Sequence, residues 1–166
     1  VVIIVTGNSF SCTNNTPLDA VKLGMFAEIF NEVKSYSYIK NTDIYIIYDC
    51  NKDKLGYAFF SSGEGYGGKM EILIGLRDME SIEGIYIVYH HESSEGWMNV
   101  GWGDRITYPA FTKQFIGLGI DKCNLRKDNG WVDAITGATI SSQAVVDIVS
   151  VAVVEKVASI LIAERN

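Results

Sequence analysis

The stretch Trp131-Val132-Asp133-Ala134-Ile135-Thr136-Gly137-Ala138-Thr139-Ile140-Ser141-Ser142 decides how this chain is read. It runs straight into an apolar segment that reads as one helix, from about Ser142 to Glu164. Small residues, hydroxyls and backbone N–H groups therefore gather at a helix N-terminus. Aligned peptide dipoles and unpaired donors favour an anion such as phosphate there. Gly137 and Ala138 let a ligand approach the backbone closely, and Thr139 presents a hydroxyl beside it. A plainer reading also exists: Thr or Ser ordinarily caps a helix, and Gly makes the turn before it. The full pattern Asp133-x-x-Thr136-Gly137-Ala138-Thr139 asks for more than a cap requires.

Outward from this stretch, the C-terminal segment is apolar almost all round, with Asp147, Ser150, Glu155 and Ser159 as a thin polar stripe. Its charges argue against a membrane span, and the pattern predicts a buried central helix against a sheet. Upstream, Pro17 to about Val33 has a broad apolar face with Thr16 as N-cap and Pro17 at the first helical position, which predicts an amphipathic helix. Asp43–Cys50 and Leu55–Ser61 flank a polar turn and read as a hairpin. In Lys69–Leu76 the residues Met70, Ile72, Ile74 and Leu76 share one face, and Ile82–His91 reads as the next strand. Gly63-Glu64-Gly65-Tyr66-Gly67-Gly68 is a bend; no Gly-Lys-Ser/Thr follows it, so it is not a phosphate loop. Tyr108–Phe115 reads as a helical turn and Lys122–Lys127 as a strand. The expected class is α+β: an antiparallel sheet packed on a long C-terminal helix, with the N-terminal helix at the edge.

The 166 residues suffice for one domain with a core, and the net charge of −6, without a Lys/Arg-rich run, argues against nucleic acid as a partner. Cys12, Cys50 and Cys123 form no Cys-x-x-Cys, and two histidines do not complete a zinc set, so no metal site is expected. Cys50, ending an apolar run, reads as a small buried residue. The opening Val1-Val2-Ile3-Ile4-Val5 is far short of the about 20 residues that span a bilayer. It reads as a short strand or as the stub of a trimmed anchor.

Asp133-x-x-Thr136-Gly137-Ala138-Thr139 resembles the flavinylation motif of the FMN-binding domain. That domain occurs in the G subunit of Rnf-type electron transport complexes and in the C subunit of the sodium-pumping NADH:quinone oxidoreductase. Gly-x-Gly-Tyr-Gly-Gly (Gly63–Gly68) followed by the paired strands is similar to the same family, so the resemblance spans Gly56 to Ser142. It implies FMN joined through its phosphate to Thr139 by a separate flavin transferase. It also implies an N-terminal membrane tether, which favours residues 1–16 as stub and linker and 17–166 as the FMN-binding domain. Asp133, Thr136, Gly137, Ala138, Ser141 and Ser142 are then the residues around the attachment point. A Thr hydroxyl is a weak nucleophile that needs a base, and Asp133 is the nearest carboxylate in the sequence.

A second constellation, His91-Glu92-Ser93 with Gly101-Trp102-Gly103, resembles the family's flavin-lining His-Glu-Thr-Pro-Gly-Leu-Gly run. Here it is split by Ser94–Val100, lacks the Pro and carries Trp102 in the Leu place. Glu92 could accept from a flavin ring N–H or brace the loop. Trp102 is expected to stack on the ring, with Trp97 at the core edge. His90 and His91 read as surface or satisfied histidines, and Arg105 and Lys113 as solvated cations that could balance phosphate charge. The resemblance implies an electron-transfer domain among the subunits of a membrane redox complex, on the extracytoplasmic side. The alternatives are a small reductase with non-covalent FMN, a sensory or surface flavin module, and a flavin-free binding module whose motif only caps a helix.

Overall fold

In the computed structural model, residues 2–6, 9–13, 17–91 and 103–165 are described. Strands β1 (Val2–Thr6) and β2 (Ser9–Thr13) are followed by helix α1 (Pro17–Ala27). A run of strands comes next: β3 (Ser35–Tyr38), β4 (Tyr45–Tyr48), β5 (Lys54–Glu64), β6 (Lys69–Leu76) and β7 (Ile82–Tyr89). The short helix α2 (Pro109–Thr112), several 3-10 turns and the long helix α3 (Thr139–Glu164) complete the chain. The described strands form one sheet in the order β2-β1-β3-β4-β5-β6-β7. From β3 to β7 every neighbour is antiparallel, and β1 joins β3 in parallel. The class is α+β, as the alternation of β6 and the C-terminal helix imply.

Alternation decides which side chains meet α3. Met70, Ile72, Ile74 and Leu76 of β6 and Tyr57 and Phe59 of β5 share one face. They pack with Val145, Val146, Val149, Val153 and Ile160 of α3 in a single buried cluster. Gly63 makes the approach possible: a Cβ there would stand 2.6 Å from Ile148 Cγ1. The other face of the sheet, toward β3 and β4, carries a smaller aromatic cluster of Phe26, Phe30, Tyr36, Tyr45 and Ile47 with Ala58 and Leu73. Thus α1 sits toward one edge of the five-stranded meander and covers its second face. The Tyr36 hydroxyl donates to Asp19 Oδ1 at 2.7 Å, which ties α1 to β3.

Several expectations change. Helix α1 ends at Ala27 rather than near Val33: the chain turns at residues 28–30, where Phe30 N–H still reaches Phe26 O at 2.9 Å, and Glu32 takes φ 61°. Ser9–Thr13, expected as linker, forms β2, and the backbone of the opening apolar run is strand. Lys122–Lys127 is not a strand; one isolated bridge, Leu125 to Val132, lies between 3-10 turns, because no neighbouring strand extends the pairing. Cys50 is exposed, since it lies in the turn after β4 instead of within it. Helix α3 is not buried all round: Ile140, Val151, Val154, Leu161 and Ile162 are exposed, because one sheet can cover only one side of a helix. No helix among the described residues is long and apolar enough to cross a membrane.

Candidate functional site

Residues 131–138 lead into α3 and are held by scattered hydrogen bonds rather than by a ladder. Val132, fully buried, receives Arg126 N–H on its carbonyl at 2.8 Å and donates to Asn124 O at 3.1 Å. The main chain of Asp133 is held by one side chain. Its N–H donates to Gln114 Oε1 at 2.8 Å, and its carbonyl accepts from Gln114 Nε2 at 3.2 Å. Ala138 N–H then closes a turn onto Ile135 O at 2.9 Å, with Thr136 and Gly137 at its tip. Gly137 has φ 85°, the left-handed value that the third position of this turn demands and that glycine adopts without strain.

Helix α3 begins at Thr139, with Ala138 as N-cap and no side chain capping it. The plain cap reading of the motif therefore fails at its first requirement: no motif hydroxyl occupies the N-cap position. Ser142 works instead from one turn inside the helix. Its Oγ accepts Ile135 N–H at 3.0 Å and donates to Ala138 O at 2.9 Å.

Burial sorts the four hydroxyls. Ser142 is 0% exposed and Ser141 3%, whereas Thr136 and Thr139 are exposed. A reagent arriving from solvent meets Thr136 or Thr139, and of these Thr139 stands on the helix N-terminus. Asp133 is exposed and turned to Arg126, whose Nε and Nη2 donate at 2.7 and 3.2 Å. The guanidinium holds the carboxyl below the usual carboxylate range. That makes Asp133 a poorer proton acceptor than a free carboxylate.

A groove of about 440 Å³ lies against the motif, lined by Arg105, Tyr108, Phe111, Gln114 and residues 133–135. Its size falls within the range of about 300–1,000 Å³ typical of small-molecule sites. Tyr108, exposed, and the carboxamide of Gln114 give it a ring and a polar group, and Arg105 gives it a cation. Lys113 faces a different groove, over β7 with Ile29, Thr107 and Ile116. The pattern thus brings together Thr136, Gly137, Ala138 and Thr139, with Asp133 and Ser142 as braces from either side.

Of the second constellation, Gly103 is buried and opens the 3-10 turn Gly103–Thr107. Glu92, Gly101, Trp102 and Trp97 lie outside the described residues. The flanks of that stretch meet: His90 Nδ1 is 3.9 Å from Asp104 Oδ1, while His91 Nε2 bonds to the Tyr89 hydroxyl. Sequence reasoning did not find Gln114, Tyr108 or Arg126. A polar residue 19 positions from its partner carries no local signal.

The fold and the exposed hydroxyl at the helix start define a class. The family model of the FMN-binding domain matches residues 65–154, more than half of the chain, and the chain belongs to that family. It is 39% identical over 100 residues to the G subunit of the ion-translocating oxidoreductase complex of Methanosarcina acetivorans, covering 60% of this chain and 50% of that protein. It is 27% identical over 168 residues to the G subunit of the same complex from Haemophilus influenzae, covering 87% of this chain and 78% of the relative. The chain therefore spans half the length of the Methanosarcina protein it matches. In fold it is similar to NqrC of Shewanella oneidensis, at 20% identity and TM-score 0.51 over 64% of this chain and 52% of that one. It is also similar to the C subunit of the Na(+)-translocating NADH-quinone reductase of Parabacteroides distasonis, at 21% identity and TM-score 0.52 over 64% and 56%.

Proposed function

We propose that this domain carries one FMN joined through its phosphate to Thr139, and that it passes electrons within a membrane redox complex on the extracytoplasmic side. The observation that carries this reading is the exposed Thr139 at the uncapped start of α3, with the competing serines buried. Flavin supplies both two-electron and one-electron chemistry when bound. The chain's own part is to hold it: the backbone N–H groups of the first turn face the phosphate charge, worth about 0.3–1 kcal/mol. That is too little to retain FMN, so the covalent bond does the holding. The groove beside residues 133–135 shelters the ring, with Tyr108 available to stack and Arg105 to balance charge.

Attachment balances simply. Thr139 Oγ bonds to the FMN phosphorus of FAD, AMP leaves, and the hydroxyl proton goes to a base of the flavin transferase, since Asp133 is held by Arg126. Complex membership is supported by the names of the relatives, each a subunit of an ion-translocating oxidoreductase. Residues 1–16, whose strands β1 and β2 extend the sheet at its β3 edge, would lead to the membrane tether, and 17–166 would hold the flavin.

Thr139→Ala should give a folded, colourless protein with no mass gain after co-expression with a flavin transferase. The unchanged chain should gain one FMN less one water and keep its colour through denaturation. Thr139→Ser should retain part of the labelling. A labelled Thr139→Ala would move the acceptor to Thr136, and a colour lost on denaturation would replace this reading with non-covalent binding. Protease treatment of intact spheroplasts should cleave the domain; protection there with cleavage in inverted vesicles would place it on the other side.

A further inference from the structure

From the α2 region Gln114 grips the segment that leads to Thr139, and no sequence motif marks it. We propose that Gln114 is the positioning residue that sets how Thr136–Thr139 is presented to the flavin transferase, a role that rests on the flavinylation reading above. Three observations carry it. First, the carboxamide is used at both ends on one residue: Oε1 accepts Asp133 N–H at 2.8 Å and Nε2 donates to Asp133 O at 3.2 Å. This is the hydrogen-bond pattern of a β-bridge, supplied by a side chain. It admits only one orientation of the amide, since a flip would set donor against donor.

Second, the position of Gln114 is fixed from below. Its neighbours Phe111 and Phe115 are 2% and 0% exposed, with ring centroids 5.6 Å apart, so the 3-10 turn Lys113–Phe115 is nailed to the core. Third, the grip acts on the main chain of Asp133, whereas Arg126 holds its side chain. Val132 is held by Asn124 and Arg126, and Ile135 by Ser142; between them the main chain of Asp133 is held by Gln114. The chain then enters the Thr136–Gly137 turn two residues later. A shift at residue 133 is therefore handed to the turn and to Thr139. Because the core side of Gln114 is independent of these bonds, their loss changes presentation more than stability.

The test uses the whole chain, purified transferase and FAD, with labelling followed by intact mass at several concentrations of the domain. Gln114→Met keeps the length and removes both polar atoms. It should lower kcat of labelling about tenfold, as expected when the reactive arrangement of the turn falls to about a tenth of the population, with KM nearly unchanged and the thermal midpoint only slightly below that of the parent. Asp133 N–H should exchange faster in that variant. Gln114→Glu adds a second signature. Its carboxylate still accepts from Asp133 N–H but opposes the Asp133 carbonyl, and protonation restores the donor. Its labelling rate relative to the parent should therefore rise as pH falls. A parent-like kcat in Gln114→Met alongside faster Asp133 exchange overturns the proposal, and so does a flat rate ratio for Gln114→Glu, which remains decisive should Gln114→Met fail to fold. An unlabelled parent chain overturns the flavinylation reading itself; a labelled parent with unimpaired variants overturns the role of Gln114 alone.

Discussion

The meander β5–β7 and residues 103–138 both pack in the cluster under α3, but they are held by different means. In the meander, β5 and β6 pair residue by residue from Tyr57–Leu76 to Glu64–Lys69, so many bonds share each load. In residues 103–138 the chain is a succession of short helical turns, with isolated bridges at Ser81–Gly119 and Leu125–Val132. Single side chains, Gln114 and Ser142, complete it. A ladder loses little when one bond goes. A segment held by single bonds changes shape when one goes, while the sheet stands. The motif Asp133–Thr139 lies at the end of the second kind of structure, so its geometry can be tuned separately from the fold.

The largest effect belongs to the meander. Ile74→Ala removes a fully buried side chain from β6 and should cost about 2–5 kcal/mol, read from the denaturant midpoint. A loss well below that range would mean that α3 and the irregular region hold the fold without the sheet.

Ser142→Ala should cost less, roughly 1–3 kcal/mol, because it leaves Ile135 N–H without its acceptor in a part-buried place. Cys123 provides the local gauge. Its thiol is 1% exposed and burial pushes its pKa up to about 12, so thiolate is scarce until the segment opens. In a Cys12→Ser, Cys50→Ser background, Ser142→Ala should speed Cys123 alkylation by more than the fall in global stability explains. Equal changes in the two would show that residues 103–138 open only with the sheet, and the contrast would collapse.

The smallest effect is that of the exposed Arg126–Asp133 pair. The guanidinium lowers the carboxyl pKa in the folded chain, so the pair's contribution is present above the ordinary carboxylate pKa and is lost as pH falls through the lowered value. Asp133→Asn should flatten that part of the thermal-midpoint profile and leave the neutral-pH midpoint almost unchanged. A large loss at neutral pH would give the pair a structural weight that its exposure argues against.

The parts built as ladders were also the parts legible in the sequence. Strand β6 is Lys69–Leu76 as its alternation predicts. Strand β5 runs on to Glu64, because Gly63 and Glu64 still find partners in Met70 and Lys69, and a glycine-rich look does not reveal a partner. Strand β3 carries no such signal: Ser35-Tyr36-Ser37-Tyr38 is short and half polar, and Ser35, Tyr36 and Ser37 are buried only because β4 and α1 cover them. At the site, the pattern singled out Thr139 by its place after Gly137-Ala138 and set the helix start near Ser142, where the helix begins at Thr139; it carried no sign that the neighbouring hydroxyls differ in exposure. Burial of Ser141 and Ser142 separates them, and burial depends on residues far along the chain. Gln114 escaped notice because it lies 19 positions from Asp133, and Arg126 because an exposed cation carries no mark of its partner.

Helix α3 is tied down at both extremities. Near its C-terminus the Tyr57 hydroxyl bonds to Glu164, with Lys54 Nζ donating to the same hydroxyl at 2.8 Å. At its start Ser142 locks the turn, and between them Ile148 sits over Gly63. It behaves as a clamped strut about 39 Å long, with Thr139 at one tip. In the reading proposed above, the point at which the flavin is anchored moves only with the domain, and the freedom of the ring comes from the linkage past the Thr139 Cβ. The position of that anchor would then follow how the whole domain docks, and substitutions far from Thr139, at Tyr57 or Lys54, would loosen the far end of the strut.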